Sequence, residues 1–260
     1  MNRIDKRLGN AGSRIRCNYL TAIMLFLFLI VSSGCASVPT NGHEVDEIDP
    51  YEDINRISYD ITDTVDRMIL EPIVDVYVEY VPNGTQRSVG NFYDNLSYPN
   101  VALNALLQGK ARQGFRDSLR FVVNSTVGLL GLFDMATHMG LEKNNEDFGQ
   151  TLGVWGVDAS TYGFIPFYGP TSNRDVADIP VSVVTNILFY ASYMVSATVF
   201  APLTVLSAID KRARMSGPMQ IRDQAALDPY LFVREAYLQN REYLVHDGNV
   251  PPVIYDDPMH

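Results

Sequence analysis

The stretch EDFGQTLGVWGVDASTYGFIPFYGPTSNRD, residues 146–175, decides the fold because it is unsuited to one long helix. It holds five glycines, two prolines and the only tryptophan of the chain, with aromatic residues between them. Glycine permits backbone conformations closed to other residues, and proline removes a backbone donor. We predict a short hairpin in which Leu152–Val157 pairs with Tyr162–Phe167 across residues 158–161. The alternative is a glycine-rich, aromatic connection packed on a core.

The composition excludes several kinds of partner. The 260 residues are 47% hydrophobic, enough for a sizeable core, and the formal charge is −10. The first 34 residues hold five basic groups and one acidic group, so the rest of the chain carries −14. So acidic a protein lacks the basic footprint that nucleic acid requires, and it cannot rely on attraction to anionic lipid. Any membrane contact would be mainly apolar or covalent.

Residues 1–34 predict a lipoprotein signal peptide. A basic start precedes the apolar run Leu20–Val31, which is shorter than a typical spanning helix. Small residues and Cys35 follow as in a bacterial lipobox, with Ser32 where leucine is usual; an ordinary secretory signal is the alternative. Cys35 would be the only cysteine of the mature chain, which excludes a disulfide, and we predict that it is acylated. By resemblance to enterobacterial sorting rules, Ala36 after the cysteine indicates the outer membrane.

The remaining chain predicts an acidic tether at residues 35–48, a helical domain at 49–246 and a C-terminal tail at 247–260. Asp49 is predicted to cap the first helix, which would end near Pro72. It is either a surface helix on a soluble core or an interfacial helix lying in one leaflet. Its apolar residues recur at helical spacing: Ile54, Ile57, Ile61, Val65 and Met68.

Further helices are predicted along the chain. Gln86–Leu96 and Pro99–Leu107 read as separate helices broken at Pro99 and Gly109, because proline disfavours a helix interior and glycine favours a helix end. The segment Val181–Ile209 carries no formal charge, and we predict two buried helices broken near Pro202. Asp228 and the proline after it predict a final helix that runs to Leu244.

Two polar rows lie at helical spacing. Asn100, Asn104 and Gln108 share one face of an otherwise apolar helix. Such a stripe is either a hydrogen-bonded helix contact or the lining of a water-filled passage, and we predict the passage.

The second row repeats this spacing with Arg112, Arg116 and Arg120. It is either a solvated or ion-paired face, or a lining that meets lipid headgroups, since the arginine fork suits phosphate. Both rows are our candidate headgroup path.

No catalytic constellation stands out. We find no G-x-S-x-G elbow, no H-E-x-x-H, no P-loop and no dinucleotide fingerprint. The four histidines are scattered and no Cys/His cluster could hold zinc. We therefore predict that the protein is not an enzyme and needs neither metal nor cofactor.

The central stretch, with its DFGQTLGVWGV, FIPFYGP and RD elements, resembles the MlaA/VacJ family of outer-membrane lipoproteins. The resemblance covers nearly all of the mature chain. It extends to these further motifs: DPYEDINRISYD (49–60), VPNGTQRSVGNFYDNLSYP (81–99), LLQGK (106–110), RFVVNSTVGLLGLFD (120–134) and DPYLFVREAYLQNREYL (228–244).

The resemblance implies a mainly α fold: a ring-like bundle of amphipathic, interfacial helices with a short Gly/aromatic hairpin loop. It also implies a helix at Ile73–Val81, although these residues alternate as in a strand. The Gly/aromatic stretch then becomes a gate or channel wall. The candidate gate residues are Gly149, Gly153, Trp155, Gly156, Tyr162 and Gly163.

The function that the resemblance implies is phospholipid transport. Members sit at the periplasmic face of the outer membrane, held by a trimeric porin, and pass phospholipids from the outer leaflet through a channel to a soluble periplasmic carrier resembling MlaC. Two other classes stay open. One is a structural, porin-associated lipoprotein without transport activity; the other is a lipid hydrolase, for which the nucleophile motif is missing.

Overall fold

A computed structural model of the chain describes residues 48–250. The first half contains α1 (Glu52–Val65), a π-helical segment (Asp66–Leu70), α2 (Glu71–Tyr80), α3 (Asn83–Leu107), α4 (Ala111–Thr126) and α5 (Met135–His138). The middle contains α6 (Phe148–Val154), β1 (Tyr162–Ile165), β2 (Gly169–Ser172) and a 3-10 turn (Asp175–Ala177). The last part contains α7 (Asp178–Thr185), α8 (Ile187–Met194), α9 (Ala197–Arg214), α10 (Ser216–Ala225) and α11 (Pro229–Val245).

The first helix is longer than predicted. It does not end near Pro72, because the π-helical segment joins α1 to α2 without a break and Pro72 is the second residue of α2. The helix predicted at Ile73–Val81 is confirmed by α2, which begins two residues earlier and ends one residue earlier. The alternating pattern of this segment does not reflect a strand.

The prediction of two helices around Pro99 is wrong, since α3 runs without a break through this residue. Proline inside a helix costs about 3 kcal/mol. Buried residues lie on both sides of it, including Asn95, Tyr98, Val101 and Ala105, and α3 packs along α4. We infer that this packing outweighs the cost of the proline.

The predicted break at Gly109 is confirmed. This glycine has φ +79°, and the N–H of Lys110 donates to the carbonyl of Ala105 at 2.9 Å while that of Gly109 donates to Leu106 at 3.0 Å. The pattern is a Schellman motif, which favours glycine at its left-handed position.

The hairpin exists but its first strand is misplaced in our prediction. Leu152–Val157 is not a strand, because residues 148–154 form α6, which Asp147 caps by accepting from the N–H of Gln150 at 2.8 Å. Strand β1 instead pairs with β2, from Tyr162 opposite Ser172 to Ile165 opposite Gly169. The turn therefore lies at residues 166–168, one strand further along the chain.

The charge-free segment forms parts of three helices, not two. The breaks lie at Asn186, which caps α8 by accepting from the N–H of Leu188 at 2.9 Å, and at Val195–Ser196. Pro202, the predicted break, lies inside α9. The final helix agrees with the prediction, since the carboxylate of Asp228 accepts from the N–H of Leu231 at 3.1 Å and α11 runs to Val245.

Contacts between the elements close into a circuit. Each element packs on the next in the order α1, π-helical segment, α2, α9, α3, α6, α11, β2, β1 and back to α1. Buried Tyr59, Tyr162, Phe164 and Tyr230 form an aromatic core where α1, β1 and α11 meet, with Tyr59 and Phe164 edge to face at 5.5 Å. The predicted mainly helical bundle, ring-like in its order of contacts, is confirmed together with its short hairpin.

Candidate functional site

The helices α1 and α2 turn their apolar residues outward. Ile57 is 61% exposed and Met68 74%, although both belong to the apolar stripe of the sequence. Water-facing helices of soluble proteins bury this stripe. We call the exposed set the apolar band: Ile54, Ile57, Ile61, Met68, Ile69, Ile73, Val76 and Tyr80.

The inward side of α1 and of the π-helical segment makes polar contacts. Asn55 is buried and its Nδ2 donates to Asp49 Oδ1 at 2.7 Å, while Asp66 Oδ2 pairs with Nη2 of buried Arg212 at 2.8 Å. Asp49, predicted as a helix cap, therefore serves this inward contact and makes no cap hydrogen bond. Buried polar groups of this kind need such partners. The amphipathicity is thus inverted relative to a surface helix on a soluble core, which favours the interfacial alternative.

The helices α7 and α8 add a second exposed apolar surface. Val184, Tyr190, Tyr193 and Met194 are each at least half exposed. Within residues 48–250, no single helix is long and apolar enough to cross a bilayer, whereas the segments 175–185 and 187–194, bent by 45°, together have the length and composition.

Asn100 and Asn104 form a buried helix contact, which corrects our prediction for these two residues, whereas a passage lining at Gln108 stays a prediction. Asn104 has 0% exposure, and its Oδ1 accepts from Thr151 Oγ1 of α6 at 2.9 Å. Asn100 Oδ1 accepts from Thr185 Oγ1 of α7 at 2.9 Å, and Gln108 Nε2 donates to Thr151 at 3.2 Å. Hydroxyl groups of α6 and α7 thus satisfy the side-chain oxygens of Asn104 and Asn100 and fasten α3 to both helices, whereas the buried Oε1 of Gln108 has no partner among the described residues.

The arginine row divides into two roles. Arg120, only 1% exposed, is a structural residue and leaves the candidate headgroup path. Its Nε donates to Tyr98 Oη at 2.9 Å, Nη2 pairs with Asp134 at 2.9 Å, and Nη1 donates to Thr137 Oγ1 at 3.1 Å and to the carbonyl of Leu141. A guanidinium with this many partners has no donor left for a ligand.

Arg112 and Arg116 lie apart from that cluster. Arg112 is exposed and Arg116 half-buried, and both line a recess of about 540 Å³ beside the start of α4. The structure thus keeps these two residues as candidates for a lipid headgroup.

The first half of the Gly/aromatic stretch packs against a cluster of charges. Arg241 Nη2 lies 2.8 Å from Asp147 Oδ1 and 2.9 Å from Asp175 Oδ1. Burial alone would raise the pKa of Asp147, but the bonds from Arg241 and Gln150 outweigh it and hold the pKa below its usual range. A Cβ on Gly149 would lie 2.7 Å from Arg241 Nη2, so glycine is required for this approach.

The next candidate gate residues have packing roles too. A Cβ on Gly153 would lie 2.9 Å from Arg174 Nη1, and Gly156 has φ +88° at the end of α6. Trp155 is about half exposed, and its indole Nε1 donates to the carbonyl of Leu107 at 3.1 Å. These contacts hold α6 against α3 and against the cluster of charges.

The last two candidates lie on β1. Tyr162 is buried in the aromatic core, whereas a Cβ on Gly163 would meet only Thr171 Cγ2, at 3.6 Å. A gating role for the six residues stays a prediction. The structure brings Gly149 and Gly153 to one helix and leaves Tyr162 and Gly163 on the hairpin.

Sequence reasoning missed the charge cluster around Arg241. Its members are Asp147, Arg174, Asp175, Tyr237 and Arg241, and they join α6, the 3-10 turn and α11. One signal was present, because Asp147 three residues before Gln150 has the spacing of a helix N-cap. The contact with Arg241, 94 residues away in the chain, left no local pattern.

Within residues 48–250 no group of three His, Cys, Asp or Glu side chains is placed to hold a metal ion. Cys35, the predicted acylation site, lies outside the described residues together with most of the tether and the end of the tail.

The outward apolar band, the exposed α7–α8 surface and the polar inward contacts define a mainly helical protein whose surface suits lipid better than water. Comparison with known families identifies it further. The model of the MlaA lipoprotein family matches residues 47–244. The chain therefore belongs to the MlaA lipoprotein family.

Individual relatives agree with this assignment. The intermembrane phospholipid transport system lipoprotein MlaA of Haemophilus influenzae is 31% identical over 235 residues, 88% of this chain and 92% of that protein. The protein of the same name from Escherichia coli K12 is 31% identical over 237 residues, 90% and 91% of the two chains. A solved structure from work on the structural basis for maintenance of bacterial outer membrane lipid asymmetry matches with TM-score 0.65 and 31% identity, over 76% of this chain and 98% of that one.

Proposed function

We propose that this protein is a lipid-anchored component of phospholipid transport between the membranes of the cell envelope. It removes phospholipids that have strayed into the outer leaflet of the outer membrane and passes them to a soluble periplasmic carrier. The names of its relatives in Haemophilus influenzae and Escherichia coli support this function. A protein with this role maintains lipid asymmetry.

One structural observation carries the proposal: the apolar band faces outward while its helices are polar inward. A helix of this kind lies in the interface of a bilayer, with its apolar face among acyl chains. In a soluble protein, an exposed band of this length would invite association. We place α1 and α2 in the inner leaflet of the outer membrane, where a trimeric porin holds the protein.

The route of the lipid follows from the cost of moving a charge through hydrocarbon, which is several kcal/mol or more. A protein that moves phospholipid needs a polar path for the headgroup beside an apolar path for the tails. We place this channel inside the closed circuit of elements. The soluble carrier receives the lipid at the periplasmic face.

The anchor of the protein is tested separately. Acylation of Cys35 predicts that Cys35→Ala abolishes incorporation of labelled palmitate. The exported Cys35→Ala variant, which would lack the acyl anchor, should still require detergent for solubility because its apolar band remains. Equal labelling of variant and parent would show that Cys35 is not acylated. Recovery of the variant as a stable soluble monomer would show that the domain does not sit in the membrane.

The function is tested by deletion of the gene followed by measurement of phospholipid in the outer leaflet. Phospholipid cleaved by a phospholipase added outside intact cells should rise in the deletion strain and return to the parental level on complementation. An unchanged outer leaflet together with less assembled porin would instead assign the protein a structural role. Release of fatty acid from labelled phospholipid by the purified protein would assign it hydrolysis.

A further inference from the structure

A recess beside the first turn of α4 is the strongest unassigned site in the described part of the chain. Its volume is about 540 Å³, and it lies between the α3–α4 turn and the segment that follows α5. The residues that line it are Gly109, Lys110, Ala111, Arg112, Gln113, Arg116, Glu142 and Asn144. Three of them are cations and one is a carboxylate, in a chain whose formal charge is −10.

Two cations of the recess have no carboxylate partner within residues 48–250. Arg112 makes no hydrogen bond or ion pair there, and the one bond of Arg116 is from Nη2 to the carbonyl of Gly140 at 3.2 Å. Lys110, in contrast, is occupied by Glu146 at 3.1 Å and by Asp247. Most other arginines of the described chain are ion-paired, so two guanidinium groups one helical turn apart without a carboxylate partner point to an anion from outside.

An apolar row continues from these arginines along α4. Phe115 is 71% exposed, and Leu119 and Val122 are also exposed. At roughly 100° per residue, Arg112, Arg116 and Leu119 fall within about 60° of one another, with Phe115 at the edge of this face. One exposed face of α4 is thus cationic at its N-terminal end and apolar beyond it.

We propose that this face binds a glycerophospholipid, with its phosphate ester held by Arg112 and Arg116 in the recess and its acyl chains against Phe115, Leu119 and Val122. This inference rests on the proposed function and assigns its headgroup site. The planar, always charged fork of arginine matches phosphate oxygens. A free phosphate ion needs the same two arginines but not the apolar row, and an acidic protein partner is the other occupant to test.

The experiment measures lipid binding by native mass spectrometry of the full-length acylated protein in a nonionic detergent. The ligands are phosphatidylglycerol and a diacylglycerol with identical chains, which lacks the phosphate. The test variant is Arg112→Gln with Arg116→Gln. The control is Arg87→Gln with Lys211→Gln, because both residues are exposed, lie outside the recess and form no ion pair within the described chain.

We expect the test variant to bind phosphatidylglycerol at least about ten-fold more weakly than the parent, since two charge-assisted hydrogen bonds are lost. The control should change affinity by less than about two-fold, within the range of surface substitutions. Diacylglycerol should bind parent and test variant alike. Inorganic phosphate at ten times the lipid concentration should not displace phosphatidylglycerol.

Three results would overturn the inference. Equal losses in test and control variants would make the effect one of net charge, and displacement by inorganic phosphate would make the recess a free-phosphate site. Unchanged lipid affinity, together with failure of the test variant to complement the deletion, would assign the recess to an acidic protein partner. A different result would contradict the proposed function, namely an unchanged amount of phospholipid in the outer leaflet of the deletion strain.

Discussion

At the scale of single residues, arginines of one periodic row lie in two different environments. Arg112 and Arg120 are two turns apart on α4, yet the first is exposed and the second is buried against Asp134 and Tyr98. Removing one partner of a buried pair leaves the other charge uncompensated, whereas an exposed cation contributes little to stability.

Arg120→Ala should therefore lower the free energy of unfolding by about 3 kcal/mol. Arg112→Ala, the matched control on the same helix, should change it by less than about 0.5 kcal/mol. Thermal unfolding in nonionic detergent measures both. Equal destabilisation by the two variants would contradict the division of the row.

Burial of the Asp117 carboxylate on the same helix lowers the stability of the folded protein in a way that depends on pH. Its side chain is fully buried, Asn144 Nδ2 donates to Oδ1 at 2.9 Å, and Oδ2 has no partner among the described residues. Burial raises the pKa of Asp117 above its usual range. When the folded pKa exceeds the unfolded one, the folded state binds more protons between the two values, so the stability contributed by this group falls as pH rises through that window.

Asp117→Asn should consequently raise the melting temperature at pH 7, and the gain should fade as pH falls to about 4, the ordinary pKa of aspartate. Asp134→Asn is the opposite control. Burial would raise the pKa of Asp134, but bonds from Thr137, Asn124 and Arg120 outweigh it, and the pKa is lowered. Asp134→Asn should lower the melting temperature at pH 7. A higher melting temperature for this variant would contradict the assignment of Asp134 as a stabilising carboxylate.

The residue scale also shows what spacing can and cannot predict. Residues four apart share a helix face, so the sequence correctly groups Asn100, Asn104 and Gln108. What that face meets depends on α6 and α7, which bring Thr151 and Thr185 from later in the chain. Periodicity carries no information about these partners, which is why the predicted passage lining is wrong for Asn100 and Asn104.

At the scale of elements, the glycines of α6 set how closely this helix approaches its neighbours. A side chain at Gly149 would meet Arg241 and Asp175, which belong to the charge cluster. Gly163 on β1 offers a contrast, because a Cβ there meets only Thr171, at an ordinary contact distance of 3.6 Å.

Gly149→Ala should therefore destabilise the protein by about 1–3 kcal/mol, the usual cost of forcing extra volume into a packed site. Gly163→Ala should stay within about 0.5 kcal/mol of the parent. In cells, abundance and lipid asymmetry should fall in step for Gly149→Ala. If asymmetry fails while abundance and melting temperature stay at the parental level, the glycine serves a gate instead.

Element boundaries were predictable where the signal is local. The cap at Asp228 and the left-handed Gly109 follow from residue chemistry alone, and both agree with the sequence analysis. Pro99 and Pro202 were predicted as breaks but lie inside α3 and α9. The tendency of proline to break a helix is a local property of the chain, and it does not include the stabilisation that packing against other helices provides.

At the scale of the whole molecule, the decisive property is which way an amphipathic helix faces. The sequence identifies the stripe from Ile54 to Met68 but fits both a soluble core and a bilayer. The structure favours the bilayer because Asn55 and Tyr59 are buried while Ile57 and Met68 are exposed. Only the other elements of the circuit supply the polar partners that make this inversion stable.

Lipid contact along the apolar band is the central claim, and it can be measured directly. Single cysteines at Ile57 and Ile61 report on the band, and cysteines at Asp53 and Asp60 report on the exposed polar face beside it. Each carries a nitroxide in protein reconstituted into phospholipid vesicles, and the predicted acylation of Cys35 would leave no competing thiol in the mature chain. Paramagnetic relaxation then compares collisions with oxygen, which concentrates in lipid, and with a water-soluble nickel complex.

We expect labels at Ile57 and Ile61 to collide often with oxygen and rarely with the nickel complex, and labels at Asp53 and Asp60 to show the reverse. If all four labels are equally accessible to the nickel complex in vesicles, the band faces water and the membrane seat is wrong.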